Sequence, residues 1–174
     1  MIETANLILR WHTLEDASSM MDLNSDPDVV RYTGDGPLYT IEDARKVITE
    51  RLFPQKELYK MGRFAVTLKD GTFIGWCGLR YFPHTNEVDL GYRFKKMYWG
   101  KGYATETSIA VLQYGFETLK LKMIYATAMP DNIGSIKVMQ KLGMTFKGVV
   151  KEDDDPQPLI RYEITAEEYL ACKK

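Results

Sequence analysis

Residues 63–94 carry the pattern that most restricts the fold. Arg63 to Leu68 alternates in part between apolar and polar, Lys69-Asp70-Gly71-Thr72 turns the chain, and Phe73 to Phe82 reads as a second strand. An Asp-Gly pair between two such runs is a strong hairpin signal. Pro83-His84-Thr85-Asn86 makes the next turn. Val88, Leu90, Tyr92 and Phe94 then alternate with Glu87, Asp89, Gly91 and Arg93, so a third strand of the same meander is predicted. Connections this short join antiparallel strands, because parallel neighbours need a long crossover.

The flanking segments supply helices and further strands. Leu7 to Trp11 is an apolar run that predicts a first strand. Thr13 with Asp16 three residues on resembles a capping box, and the helix it opens should stop near Ser25-Asp26-Pro27. Thr33 to Pro37 is a turn-rich loop. Thr40 caps a second helix through about Leu52, with Glu42 and Asp43 suiting its dipole and Pro54 ending it. Tyr103 to Leu119 reads as a helix with Ala104, Val111, Leu112, Gly115 and Leu119 on one face. Met123 to Ala128 is a short strand and Asn132 to Leu142 a short helix, with Gly143 as its stop. Met144 to Val150 and Leu159 to Ile164 predict a last hairpin around an acidic loop at 152–155, and Thr165 to Glu168 a final capped turn. The expected fold is one α/β domain of the α+β type over residues 1–174, a mixed, mostly antiparallel sheet flanked by helices.

Charge and composition exclude several functions. The net charge of −1 over 174 residues lacks the basic excess of a general nucleic-acid or membrane-surface binder. No apolar stretch approaches the ~20 residues of a membrane span. The opening residues read as no signal peptide, which points to a cytoplasmic protein. Cys77 and Cys172 are far apart and form no metal-ligand spacing, so no metal site is expected and both thiols should be free.

The turn after the third strand is the candidate binding element. A strand ends near Lys95 and a helix opens near Tyr103, with Trp99-Gly100-Lys101-Gly102 between them. The first turn of a helix leaves N–H groups without internal partners, and the macrodipole adds positive character there. Gly100 and Gly102 let an anion approach the backbone, and Lys101 adds charge. By spacing alone the segment is either a phosphate cradle or a plain strand-to-helix turn. It matches neither G-x-G-x-x-G nor a GK[ST] loop.

The wider context resembles a known family. Gly91 to Phe94 followed by Tyr98-Trp99-Gly100-Lys101-Gly102-Tyr103-Ala104-Thr105-Glu106 resembles the acetyl-CoA motif of the GNAT acetyltransferases, Q/R-x-x-G-x-G/A. Trp99 takes the Q/R place, as in the RimJ/RimL-like branch, Gly102 the central glycine and Ala104 the last position. Lys96 stands where that branch frequently has proline. Asn132-x-x-Ser135 with Lys141-Leu142-Gly143-Met144 resembles the branch's N-x-x-S and K-L-G-F elements, and Leu7 to Arg10 with Asp26 to Val30 its opening segment.

The resemblance implies an enzyme that moves acetyl from acetyl-CoA to a primary amine of a protein N-terminus, a polyamine or another small molecule. No metal enters that reaction. The backbone of Phe94 and Lys95 would pair with the pantetheine arm. The N–H groups from Gly100 through Lys101, Gly102, Tyr103 and Ala104 to Thr105 would grip the pyrophosphate beside Trp99. Asn132 would hydrogen-bond the pantetheine, and Ser135 would protonate the leaving thiolate. The branch often dimerises, so a homodimer is implied as well. The rival reading is a regulatory module that keeps the CoA cradle without chemistry.

Several residues read two ways. Asn132 serves equally as a helix N-cap. Asp89 is either a base or amine anchor, or a solvated strand residue, and Glu87 shares its face. His84 in its turn reads as a surface residue. The acidic run at 152–155 is a solvated loop or an attractor of cationic substrates.

Overall fold

A computed structural model describes residues 1–151 and 157–172, which leaves the acidic run at 152–155 outside the described residues. Strands β1 (Ile2–Glu3), β2 (Leu7–Arg10), β3 (Gly62–Leu68), β4 (Phe73–Phe82), β5 (Glu87–Phe94), β6 (Met123–Ala128), β7 (Thr145–Val150) and β8 (Leu159–Thr165) form one sheet. Their spatial order is β1-β2-β3-β4-β5-β6-β8-β7. The β5–β6 pair is parallel and the other neighbours are antiparallel. The β3–β4–β5 meander forms as its turn chemistry predicts, and it lies within the sheet with neighbours on both sides. Gly71 donates to Leu68 O at 3.0 Å and Asp70 Oδ1 accepts from the Thr72 N–H at 2.9 Å, closing the β3–β4 hairpin.

Helices cover both faces. Side chains of a strand alternate between faces. Phe64, Val66, Cys77, Leu79, Val88, Leu90 and Phe94 therefore pack with Val111, Leu112 and Met139 of α5 (Tyr103–Gln113) and α6 (Ile133–Lys141). Ala65 and Trp76 turn the other way. They meet Ala17, Met20 and Leu23 of α1 (Ala17–Ser25), Val29 of α2 (Pro27–Val30) and Ala44 of α3 (Ile41–Lys46). A last helix, α7 (Ala166–Cys172), stacks Tyr169 on Phe116 at 4.8 Å and is capped reciprocally by Thr165 and Glu168. No helix among the described residues is long and apolar enough to cross a membrane.

Pro54 does not end the second helix. A π-helical turn at Val47–Leu52 follows α3, and α4 (Phe53–Tyr59) continues beyond it. The Phe53 N–H bonds to Ile48 O, five residues back, so the helix changes register where Pro54 has no donor to offer. Proline is tolerated in the first turn of the segment it opens. Strand β1 lacks any apolar period and exists because Thr4 turns the chain back, with its N–H on Leu7 O at 2.9 Å.

Asp16 shows how the N-terminal half is fastened. Arg10 forks onto it at 2.8 and 2.7 Å, and the Thr13 N–H donates at 2.8 Å. Burial raises this carboxyl, but the hydrogen bonds from Arg10 and the Thr13 N–H outweigh that and hold it well below the usual carboxylate range. A depressed carboxylate stabilises the fold above its unfolded value of about 3.9, and that stability is lost as pH falls through the folded value. Asp16→Asn should cost about 2 kcal/mol at pH 7, or roughly 4–8 °C in Tm. Melts at pH 7 and pH 3 should show that deficit shrinking in acid. A constant deficit would contradict the assignment.

Candidate active site

The site is built where two strands part company. Strand β5 pairs with β4 over eight residues, and β6 pairs with β8 over six. Between β5 and β6 the register holds at one place, Asp89 opposite Tyr125. Beyond it each strand follows its outer neighbour, and a wedge opens between Leu90–Phe94 and Ala126–Ala128.

Backbone parity decides what faces the wedge. The Lys95 N–H donates to Ile74 O at 2.9 Å, so Asp89, Gly91, Arg93 and Lys95 direct their backbone groups toward β4. Tyr92 and Phe94 direct theirs into the wedge. The Phe94 carbonyl already accepts the Trp99 indole N–H at 2.7 Å, and the Lys95 carbonyl accepts the Tyr98 N–H at 2.9 Å. The motif sets Phe94 and Lys95 against the pantetheine arm. Lys95 has both backbone groups engaged inside the protein, and the available strand edge is Tyr92 with the Phe94 N–H. Trp99, half exposed, braces the turn through that indole bond.

The turn itself opens outward. Gly100 and Gly102 have φ of +74° and +84°, a left-handed backbone that favours glycine, and a Cβ on either would meet nothing within 4 Å. The first helical bond of α5 runs from the Glu106 N–H to Gly102 O at 2.9 Å. The N–H groups of Tyr103, Ala104 and Thr105 thus precede the hydrogen-bonded ladder. The Glu106 carboxylate is taken up by Thr4 at 2.6 Å and by the backbone and side chain of Asn6 at 2.9 Å. Lys101 is exposed, with its ammonium 5.2 Å over the Tyr98 ring. Lys95 reaches Asp22 of α1 at 2.6 Å and Lys96 reaches Asp28 of α2 at 2.5 Å, anchoring the turn from the far side.

Across the wedge stands the start of α6. Asn132 is its N-cap, its Oδ1 accepting the Ser135 N–H at 3.1 Å. Ser135 Oγ accepts from the Tyr92 hydroxyl at 2.9 Å. Burial pushes the Tyr92 phenol up to about 12, against a smaller opposing effect of that hydrogen bond. The sequence marks Tyr92 only as one alternating strand position. Nothing local shows that it meets a serine 43 residues away.

Asp89 lies on the opposite face of β5. Both its oxygens accept from Arg63 Nη2, at 2.9 and 2.8 Å. The Arg63 guanidinium passes over Gly91, where a Cβ would stand 2.8 Å from that nitrogen, and donates to Gly78 O at 2.5 Å. Trp76 lies under both Arg63 and Arg93, at 5.3 and 5.2 Å from its ring centre. Arg93 bonds Asn24 of α1 and reaches Asp35 of the 33–37 loop at 2.9 Å. Glu87 is likewise paired, with Arg161 at 2.6 Å. The two candidate catalytic side chains, Ser135 and Asp89, thus address β5 from different faces. His84 is exposed in the β4–β5 turn, at the end of β5 away from the glycines.

This arrangement can hold an extended chain as a partial strand against Tyr92 and Phe94. It can receive an anion on the amides before α5 and bring a reacting group to the Ser135 hydroxyl. Known proteins point the same way. The acetyltransferase (GNAT) domain family matches residues 6–145. The uncharacterized N-acetyltransferase YnaD of Bacillus subtilis is 35% identical over 154 residues, covering 87% of this chain and 86% of its own. The FsC-acetyl coenzyme A-N(2)-transacetylase of Aspergillus fumigatus is 30% identical, covering 99% of this chain and 79% of its own. The crystal structure of a GNAT-family acetyltransferase from Bacillus anthracis superposes with a TM-score of 0.81 at 28% identity, covering 95% of this chain and 98% of that one.

Proposed function

Since the chain belongs to the GNAT N-acetyltransferase family, whose members use acetyl-CoA, we propose that it transfers acetyl to a primary amine of a protein N-terminus, a polyamine or another small molecule. The carrying observation is the wedge between β5 and β6, with open backbone groups on one wall and the Ser135 hydroxyl on the other. The motifs at 99–104 and 132–135 support a place in the RimJ/RimL-like branch.

The residues divide the work by position. Tyr92 and the Phe94 N–H pair with the pantetheine arm, and the Asn132 amide bonds it from α6. Amides from Gly100 to Thr105 hold the pyrophosphate, where helix dipole and unpaired donors favour an anion. Acetyl-CoA supplies an activated thioester, so the protein needs no nucleophile of its own. It must align the reactants and move protons. Ser135 serves the sulfur. The amine approaches from the opposite face, where Asp89 keeps lone pairs beyond those used by Arg63 and orients it. Water at the mouth of the wedge takes the amine's proton.

Incubation with acetyl-CoA and a panel of peptides, polyamines, amino acids and aminoglycosides, following free thiol, should give turnover with at least one class. Absence of turnover together with absence of CoA binding by calorimetry would refute the reading. Tight CoA binding without turnover would favour a regulatory module.

A further inference from the structure

We infer that Tyr92 is a positioning residue for acetyl transfer, its hydroxyl fixing the Ser135 side chain so that the single Ser135 proton points at the sulfur of the bound thioester. The inference rests on the proposed role of Ser135 and adds a second residue to it.

The geometry supplies the argument. A serine hydroxyl has one proton to donate and two lone pairs to accept with. Tyr92 donates into Ser135 Oγ at 2.9 Å and thereby takes one lone pair. The Ser135 proton is then left for another acceptor, and we assign it to the sulfur of a thioester held in the wedge. Both partners are held from behind. Tyr92 sits in the middle of β5, between Leu90 and Phe94, which are buried in the core beneath α5. Ser135 sits in the first turn of α6 with its N–H bound by the Asn132 cap. Burial keeps the Tyr92 phenol protonated well past neutrality, so it stays a donor wherever a substrate amine is neutral enough to react.

The proton balance closes. The amine nitrogen bonds the acetyl carbon, the carbon–sulfur bond breaks and its electron pair goes to sulfur. Sulfur takes the Ser135 proton, Ser135 takes that of Tyr92, and water restores Tyr92. The amine nitrogen gives one proton to water. A hydroxyl that hands its charge back to a second donor is a better acid than serine alone, because hydrogen bonds in series polarise one another.

The test compares Tyr92→Phe, Ser135→Ala and the double variant. Tyr92→Phe keeps the ring and should leave the KM for acetyl-CoA within twofold while lowering kcat about 10- to 100-fold, less than the roughly 100- to 10,000-fold of a positioned acid lost outright, because Ser135 remains. The double variant should be no slower than Ser135→Ala, since the residues act as one unit. A second readout needs no turnover. Hydroxyl donation favours the thiolate of bound free CoA, so wild-type affinity for CoA should gain about tenfold more than that of either variant as pH rises through the thiol's titration, a one-unit shift in thiol ionisation. If Ser135→Ala is slow but Tyr92→Phe keeps full kcat and the wild-type pH dependence of CoA binding, the positioning role of Tyr92 is refuted. If Ser135→Ala itself keeps full kcat, the role of Ser135 fails and this inference fails with it. Should Tyr92→Phe alter the melting temperature, the double variant decides the question: a further loss of kcat from Tyr92→Phe in the Ser135→Ala background is structural and refutes the positioning role, and no further loss supports it.

Discussion

Gly102→Val should weaken CoA binding about 100-fold, close to 3 kcal/mol, and lower the melting temperature by only about 5 °C. Gly102 holds φ at +84° as the residue before α5, and a Cβ there meets nothing within 4 Å. The effect cannot come from a clash inside the protein. It comes from the left-handed backbone, which costs a β-branched residue about 1–3 kcal/mol, and from a side chain standing where an anion would approach the amides. Relief of the backbone cost would rotate the Tyr103 and Ala104 N–H groups out of line, and each hydrogen bond to a charged group is worth about 1.5–3 kcal/mol. Lys101→Ala should change affinity less than threefold, because Lys101 is exposed and stacks over Tyr98. Calorimetric titration with CoA measures both variants. Equal losses in the two, or none in Gly102→Val, would move the pyrophosphate away from this turn.

Gly78→Val should destabilise the sheet by at least about 3 kcal/mol and roughly 6–12 °C in Tm. A Cβ at Gly78 would lie 2.0 Å from Gly62 O and 2.8 Å from the Arg63 Cα. Both are backbone atoms of β3, so no rotamer change relieves the overlap and the central strands must separate. The same substitution disturbs Arg63, which bonds Gly78 O and braces Asp89. Gly134→Ala is the contrast. Its nearest neighbour is Asn132 Oδ1 at 3.7 Å, and it lies in α6, where alanine gains about 1 kcal/mol over glycine. Its Tm should hold or rise. Thermal melts at neutral pH check the pair, and a Gly78→Val protein melting within 2 °C of wild type would overturn the close-approach argument.

Much of the fold can be read locally. The Asp70-Gly71 hairpin, the Thr40–Asp43 capping box, the Asp26 cap before Pro27 and the Gly143 stop all act within a few residues of chain. Pro54 misled the local reading because a π-helical turn absorbs its missing donor, and that turn has no signature in composition. The glycines of the 99–104 turn were legible for a related reason. Left-handed backbone demands them wherever the rest of the molecule lies.

Sequence alone therefore determined most of the elements and their caps, the glycine turn before α5 and, through ordered motifs, the kind of ligand that turn suits. Only the tertiary structure decided how the site is assembled. The pairing of Asp89 with Tyr125 and its failure beyond, the capture of Asp89 by Arg63 26 residues away, and the bond from Tyr92 to Ser135 join residues whose separation leaves no period to read. Strand pairing also set which backbone groups face the wedge, moving the open edge from Lys95 to Tyr92. Periodicity tells which face of a strand is apolar. It carries no information on which neighbour claims each edge, because edge hydrogen bonds use backbone groups that every residue shares.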